Sequence, residues 1–240
     1  MLLLFDIDGT LLLRASDAHR DALLAALHDV LGIPDPAAAN VPAAGRTDVE
    51  IARAIALRRG VSAQRFDESA EELRAACCEQ YARRCPDDLS GHLAPGAAEL
   101  LEGLSARADV RLSLVTGNLE PVARLKLARA GIGQHFPVGQ GGFGSDHEDR
   151  SELPAIARAR AAVNGRPHPR AHTLVIGDTP RDIACAHADG VRCIAVATGP
   201  HPAADLAKAD ALATCAAELP ALIDGLAGQP AAGSAARSVQ

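Results

Sequence analysis

Short apolar runs separated by longer stretches with helical periodicity recur along the chain, and this alternation restricts the fold more than any other feature. Runs of this length, bounded by turn residues, are typical of buried strands, and strands that alternate with helices favour a parallel sheet. The runs are Leu2–Ile7, Val110–Val115, His135–Gly139, Thr173–Gly177 and Arg192–Ala197. The predicted fold class is therefore α/β, with a doubly wound parallel core.

Between the first strand and Pro95-Gly96, about eighty residues carry helical patterns and no convincing strand, far more than a βα connection needs. One helix is predicted over residues 16–31, and a second follows the capping-box pattern Thr47-x-x-Glu50. A third is predicted over residues 67–85. An insertion of this size and helical character is typical of a separate domain.

These patterns divide the chain into a core and an insertion. We expect residues 1–13 and 92–226 to form the α/β core, and residues 14–91 to form an inserted α-helical cap domain. Residues 227–240 are rich in Ala, Gly, Ser and Pro and lack apolar periodicity, which predicts a disordered tail.

The residues directly after the first strand are Asp6-Ile7-Asp8-Gly9-Thr10. Alternate residues of a strand share a face, so the carboxylates of Asp6 and Asp8 can point into one site. Two like charges this close are costly unless a cation or a proton separates them, and the Gly9-Thr10 turn brings backbone amides to the same place. The combination favours phosphate and Mg²⁺ chemistry, whereas the structural alternative is an ordinary acidic strand-to-turn junction.

Polar residues also follow the later strands, at Thr116-Gly117-Asn118, at Arg150 and at Gly177–Asp182. In open α/β sheets, ligands bind at the carboxyl ends of the strands. The hydroxyl of Thr116 and the amides of Gly117 and Asn118 can hold an oxyanion at a helix start, although Asn118 also suits a simple N-cap. These residues are therefore candidates for one phosphate-binding site.

In their order along the chain, these motifs resemble those of the haloacid dehalogenase (HAD) superfamily, specifically its Asp-x-Asp-Gly-Thr phosphatases with a phosphoglycolate-phosphatase-like helical cap. The resemblance implies a Rossmann-like core with an inserted cap, as the periodicity predicts. It implies that Asp6 is the nucleophile, which forms an aspartyl-phosphate, and that Asp8 is the general acid and base. The implied reaction is Mg²⁺-dependent hydrolysis of a small phosphorylated metabolite. Phosphoglycolate is the substrate after which the similar enzymes are named.

The resemblance also implies a Mg²⁺ site formed by Asp6, the backbone carbonyl of Asp8 and Asp178, because the strand before Asp178 lies beside the first strand in that superfamily. Asp182 is a further candidate ligand. With Thr179 as N-cap, however, Asp182 falls at the third helical position, where an acid stabilises a helix start regardless of function.

Members of the superfamily usually carry a Lys between the second-strand Thr and the Gly-Asp motif, and Lys126 is the only Lys in that interval here. Lys126 is predicted to lie inside the helix that follows Thr116. Arg150, which opens a later helix, is therefore the preferred cation, since Arg is permanently charged and can hold two oxygens. Arg46, on a predicted cap loop, is a candidate contact for a second anionic group of the substrate.

Composition and charge limit the partners. The formal net charge of −6 and the pI near 5.8 argue against nucleic-acid binding, and no apolar stretch approaches the length of a membrane span. Only four residues precede Phe5, too few for a signal peptide, so we expect a cytoplasmic protein. The six cysteines lack zinc-site spacing. A monomer and a homodimer both fit this composition.

Three alternatives to a phosphatase stay open at this point. A phosphosugar mutase of the same superfamily uses the same nucleophile but typically has Val where this chain has Thr10. If the chain were a haloacid dehalogenase, which needs no Mg²⁺, Asp8 and the Gly-Asp motif would have no role. A non-catalytic binding or regulatory homologue is disfavoured by the intact acidic residues, although a fold alone does not establish a function.

Overall fold

A six-stranded sheet forms the centre of the computed structural model, which describes residues 1–227. The strands are β1 (Leu2–Phe5), β2 (Arg111–Thr116), β3 (Gly142–Phe143), β4 (Thr173–Gly177), β5 (Arg192–Val196) and β6 (Ala211–Ala213). Their order is β3-β2-β1-β4-β5-β6, and every neighbouring pair is parallel. The predicted α/β fold with a doubly wound parallel core is confirmed.

Helices cover both faces of this sheet and form the insertion after β1. They are α1 (Asp17–Leu31), α2 (Asp48–Arg58), α3 (Ala63–Arg84), α4 (Ala97–Ser105), α5 (Glu120–Arg129), α6 (Leu153–Arg160), α7 (Pro180–Ala188) and α8 (Leu219–Ala227). Alternate residues of β1 enter different apolar clusters, Leu3 and Phe5 on one face and Leu2 and Leu4 on the other. Within the described residues, every helix is too short or too polar to cross a membrane.

The strand predicted over residues 135–139 is wrong. The chain makes a short 3₁₀ turn at Gly133–His135, and the third strand is instead Gly142–Phe143. Pro137 lacks the N–H that a ladder needs, and Val138 is 88% exposed, so this run does not join the buried sheet.

The C-terminal part holds one element that the sequence pattern did not predict. β6 consists of Ala-Leu-Ala, which has no β-branched or aromatic residue, and its pairing with β5 rather than its propensity makes it a strand. The predicted disordered tail over 227–240 falls on residues 228–240, which lie outside the described residues, while Ala227 ends α8.

The insertion between β1 and α4 is helical, as predicted. α1 and α3 lie along each other and bury Leu27 and Leu73 between cap elements. The hydroxyl of Thr47 accepts a hydrogen bond from the backbone N–H of Glu50 at 3.1 Å, which confirms the predicted start of α2. The cap boundaries at residues 14 and 91 stay a prediction.

The start of α2 packs against the carboxyl ends of the strands. The hydroxyl of Thr47 donates to the backbone carbonyl of Glu148 at 2.6 Å, and Arg53 pairs with the Glu148 carboxylate at 2.7 Å. A Cβ at Gly117 would lie 2.0 Å from the backbone oxygen of Arg46, so only glycine allows this approach. The helical insertion therefore covers the end of the sheet where the candidate residues lie.

Candidate active site

Asp6 and Asp8 lie at the carboxyl end of β1 and line one cavity with Arg150 and Asp178. The backbone N–H of Asp6 donates to the carbonyl of Ile176 on β4 at 2.9 Å, which continues the pairing of the two central strands beyond their assigned ends. Asp6 is 5% exposed, whereas the side chain of Asp8 is 25% exposed. The motif after β1 and the motif after β4 therefore meet in one place.

Three buried carboxylates form a cluster here. Asp6, Asp178 and Asp182 each offer an oxygen, and these oxygens all lie within 4.8 Å of one another. Oxygen donors of this kind are the ligands that Mg²⁺ takes in proteins. Oδ2 of Asp178 is buried without a hydrogen-bond partner among residues 1–227, which is costly unless a cation occupies the site. The donor set therefore fits a divalent cation.

Asp182 caps helix α7 and also faces the acidic cluster, while its role as a metal ligand stays a prediction. Its Oδ2 accepts from the backbone N–H of Thr179 at 2.9 Å, while the Thr179 hydroxyl accepts from the Asp182 N–H, so the capping box is complete. Its other oxygen, Oδ1, accepts from Arg150. Capping α7 thus aims one oxygen of Asp182 at the acidic cluster.

Gly9 and Thr10 contact Asp178. The hydroxyl of Thr10 donates to Oδ1 of Asp178 at 3.0 Å. Gly9 has a φ of +93°, and a Cβ there would lie 2.2 Å from Oδ2 of Asp178, while one at Gly199 would lie 1.7 Å from the same atom. The turn after β1 and the loop after β5 therefore hold the Asp178 carboxylate, and the predicted phosphate contacts of Gly9 and Thr10 stay a prediction.

Burial makes two of these acids hard to ionise. It raises the pKa of Asp6 to about 7. Burial, followed by the charges of Asp6 and Asp182, raises the pKa of Asp178 to about 8. A divalent cation would stabilise both carboxylates in their charged form, so cation binding and proton release are coupled at this site.

We expect the metal-free protein to lose stability as the pH rises from about 4 to about 8, with no further loss from these groups above that. Asp6 and Asp178 hold their protons more tightly in the folded chain than in the unfolded chain, where their pKa is near 3.8. Their contribution is therefore complete below that pH, declines above it and is lost once the pH passes about 7 and 8. Added Mg²⁺ should therefore raise the melting temperature more at high pH than at low pH. Thermal unfolding with EDTA or Mg²⁺ measures this, and an unchanged Mg²⁺ effect in Asp178→Asn would contradict it.

Arg150 lies inside the acidic cluster, at 5% exposure. Its NH2 group donates to Oδ1 of Asp6 at 3.0 Å and also to Asp182. Its Nε is buried and has no partner among the described residues. A guanidinium with a free N–H donor beside Asp6 can bind an oxyanion there, because the spacing of its N–H groups matches that of phosphate oxygens.

Asp8 pairs with Lys126, a residue that the sequence interpretation set aside as a helix-interior Lys. Nζ of Lys126 lies 2.7 and 2.8 Å from the two carboxylate oxygens of Asp8, and Nδ2 of Asn118 donates to Asp8 at 2.9 Å. Although burial alone would raise the pKa of Asp8, the charge of Lys126 and these hydrogen bonds lower it. Asp8 is therefore held as an anion between a cation and an amide.

A chain of hydrogen bonds runs from Lys126 into the cap. Nδ1 of His19 lies 3.1 Å from Nζ of Lys126, and Nε2 of His19 lies 2.9 Å from Asp48. An ammonium group only donates, so Nδ1 of His19 accepts and Nε2 carries the proton that it donates to Asp48. Asp48 also accepts from the backbone N–H of Leu119 at 2.8 Å. His19 of α1 thereby contacts the group that holds Asp8, and Asp48 of α2 contacts His19 in turn.

Four other predicted residues lie around this network. Thr116 is fully buried, and its hydroxyl accepts from Nδ2 of Asn118 at 3.0 Å. Gly117 and Asn118 line the cavity. Arg46 lines it too, and its guanidinium lies 3.5 Å from Glu50. The structure thus brings Thr116 and Asn118 to Asp8, and brings Arg46 to the cavity wall.

Sequence reasoning missed Lys126 as a neighbour of the site, together with His19 and Asp48. One signal could have found Lys126. In α5 the buried positions are Val122, Ala123, Lys126 and Leu127, which follow helical spacing, so a Lys on this buried face requires a polar partner. No comparable signal exists for His19 and Asp48, whose contacts depend on how the cap docks.

Family comparison agrees with this geometry. The model for haloacid dehalogenase-like hydrolases matches residues 3–187, and a second hydrolase model of the same superfamily matches residues 153–222. The first match spans all four acidic residues of the site, Asp6, Asp8, Asp178 and Asp182.

Individual relatives carry different names. A phosphoglycolate phosphatase of Rhodospirillum rubrum is 33% identical over 82% of this chain and 79% of its own length. The tyrosine-protein kinase PtkA of Mycobacterium tuberculosis is 32% identical over 82% of this chain, which spans 62% of that protein. A β-phosphoglucomutase structure from Clostridium difficile has a TM-score of 0.67 at 17% identity, covering 94% of this chain and 96% of its own. The last similarity concerns the fold alone.

Proposed function

The chain belongs to the family of haloacid dehalogenase-like hydrolases, and from this we propose that it is a Mg²⁺-dependent phosphatase of a small phosphorylated metabolite. The observation that carries the proposal is the buried cluster of Asp6, Asp178 and Asp182, in which Oδ2 of Asp178 has no partner among residues 1–227. Arg150 and Asp8 border the same cavity, so a cation, a phosphoryl group and a proton donor can meet there.

Asp6 is the proposed nucleophile. Its carboxylate attacks the phosphorus, the bond to the substrate oxygen breaks, and an aspartyl-phosphate forms. Arg150, which lies 3.0 Å from Asp6, orients that carboxylate and can donate its free Nε–H to a phosphoryl oxygen. Asp6, Asp178, Asp182 and the backbone carbonyl of Asp8 would hold a Mg²⁺ ion. When bound, this ion would neutralise charge on the phosphoryl oxygens.

Asp8 is the proposed general acid and base. It stands two residues from Asp6 and is held by Lys126 and Asn118. Because Asp8 is an anion in the free protein, it would first take up a proton as the substrate binds. It would give that proton to the departing alkoxide and then take one from the water that hydrolyses the aspartyl-phosphate. Gly117 and Asn118 line the cavity beside this position, and the buried Thr116 hydroxyl bonds to Asn118. The amides of Gly117 and Asn118 and the Thr116 hydroxyl are proposed to hold phosphoryl oxygens, since preorganised donors stabilise the charge that develops there.

The mutase alternative is not favoured by any contact in the site. The similarity to β-phosphoglucomutase is one of fold, and Thr10 donates to Asp178 where mutases of the superfamily typically have Val. The similarity to a tyrosine-protein kinase covers part of that protein only. A mutase and a kinase both transfer the phosphoryl group to an acceptor other than water. Their product is therefore a phosphorylated acceptor, whereas the proposed phosphatase releases free phosphate.

The test is release of inorganic phosphate from a panel of phosphorylated metabolites that includes phosphoglycolate. We expect release in Mg²⁺, loss of release in EDTA, and recovery when Mg²⁺ is added back, because the acidic cluster needs its cation. A phosphorylated sugar or peptide product without free phosphate would favour a transferase. Release that continues unchanged in EDTA would contradict the proposed chemistry.

A further inference from the structure

The cavity that holds the acidic cluster extends well beyond it. Its volume is about 1070 Å³, and it runs from Asp6 and Asp178 at the strand ends to helices α1 and α2 of the insertion. Sites that bury drug-sized ligands have roughly 300 to 1,000 Å³. A phosphorylated two-carbon acid such as phosphoglycolate would occupy the catalytic end and leave most of this space to water.

The part of the cavity away from the carboxylates is aliphatic. Leu24 of α1 and Val41 line it while only partly buried, so their apolar surface is available to a ligand. Ile51 and Ile55 line it from α2, and because they are four residues apart they present one continuous face. Pro36 completes the same wall.

Most of the charged side chains in this part of the lining have a partner of their own. Each pair is an ion pair or a charge-assisted hydrogen bond: Arg46–Glu50, His19–Asp48 and Arg20–Asp21. Arg14 differs, because it is exposed and has no ion-pair partner among the described residues. A ligand that fills this part of the cavity therefore meets aliphatic carbon more than free charge.

We propose that the natural substrate is a phosphomonoester whose organic part is larger than two carbons and carries an apolar group, which binds against Leu24, Val41, Ile51 and Ile55. This inference rests on the proposed phosphatase function and specifies its substrate class. The phosphate occupies the end near Asp6 and Arg150, and the apolar group displaces water from the aliphatic wall.

The test compares ethyl, butyl and hexyl phosphate with phosphoglycolate in Mg²⁺. We expect kcat/KM to rise up to about fourfold for each methylene that is buried, and hexyl phosphate to exceed phosphoglycolate. Leu24→Asn should flatten this rise, and Leu24→Met should retain it. Leu57→Asn is the matched control, because Leu57 is 46% exposed on α2 and does not line the cavity.

A flat or falling series, or the same slope in Leu24→Asn as in the native chain, would overturn the inference and leave the phosphatase function standing. Absence of Mg²⁺-dependent release from every ester, with p-nitrophenyl phosphate included as an activated substrate, would overturn the proposed function itself. Binding of butyl and hexyl phosphonate, which cannot be hydrolysed, then decides the inference separately. Affinity that does not increase with chain length would contradict it.

Discussion

We expect the Asp6→Asn substitution to lower Mg²⁺-dependent phosphate release by about 10⁶-fold, as the loss of a covalent nucleophile does in a serine protease. The amide cannot attack phosphorus, and it removes one of the three clustered carboxylates. The amide of Asn has nearly the same shape as the carboxylate that it replaces. Because burial raises the pKa of Asp6 to about 7, a neutral side chain at this position is compatible with folding. Initial rates with the best substrate of the panel measure the effect.

Asp87→Asn is the matched control for this change. Asp87 has a side chain that is 95% exposed and pairs with Arg129 on the surface, so its loss should leave the rate within about twofold of native. Both variants should unfold near the native melting temperature. Full turnover in Asp6→Asn would refute an aspartyl-phosphate at this position, whereas an equal loss in both variants would trace the effect to folding.

The central strands of the sheet are predictable because their residues are buried on both faces. β1, β4 and β5 read as continuous apolar runs, as strands of a parallel sheet do. β3 gives no such signal, since it is two residues long and includes Gly142. A Cβ there would lie 2.3 Å from the backbone oxygen of Leu153, so contact with α6 selects glycine at the expense of strand propensity.

The residues of the site also divide into those that the sequence predicts and those that it does not. Asp6 and Asp178 are predictable because each directly follows a strand, and topology brings the carboxyl ends of neighbouring strands together. The contact of Lys126 with the site is not predictable, because its position inside α5 does not determine where the charged end of a long side chain lies. Its ammonium group reaches Asp8 only through the packing of α5 against β1 and the cap, which no local pattern encodes.

The second large effect is expected at Lys126. We expect Lys126→Met, which keeps an unbranched side chain one atom shorter and removes its charge, to lower kcat by about 10²-fold. Asp8 loses the ion pair at 2.7 Å, and with burial no longer opposed by this charge its pKa rises. The limb of the pH–rate profile that belongs to Asp8 should therefore move to higher pH, which a purely structural role would not produce.

Arg129→Met provides the control, since it removes a cation from the same helix at a half-buried position, where Arg129 pairs with the exposed Asp87. Its rate and pH profile should match those of the native chain. His19→Gln should give a smaller loss in the same direction, because His19 accepts from Nζ of Lys126 but does not touch Asp8 directly. If Lys126→Met leaves the pH profile in place while the melting temperature falls, the Lys126–Asp8 pair stabilises the fold and does not tune the acid. If the Lys126→Met and His19→Gln losses simply add in the double variant, the two residues act independently.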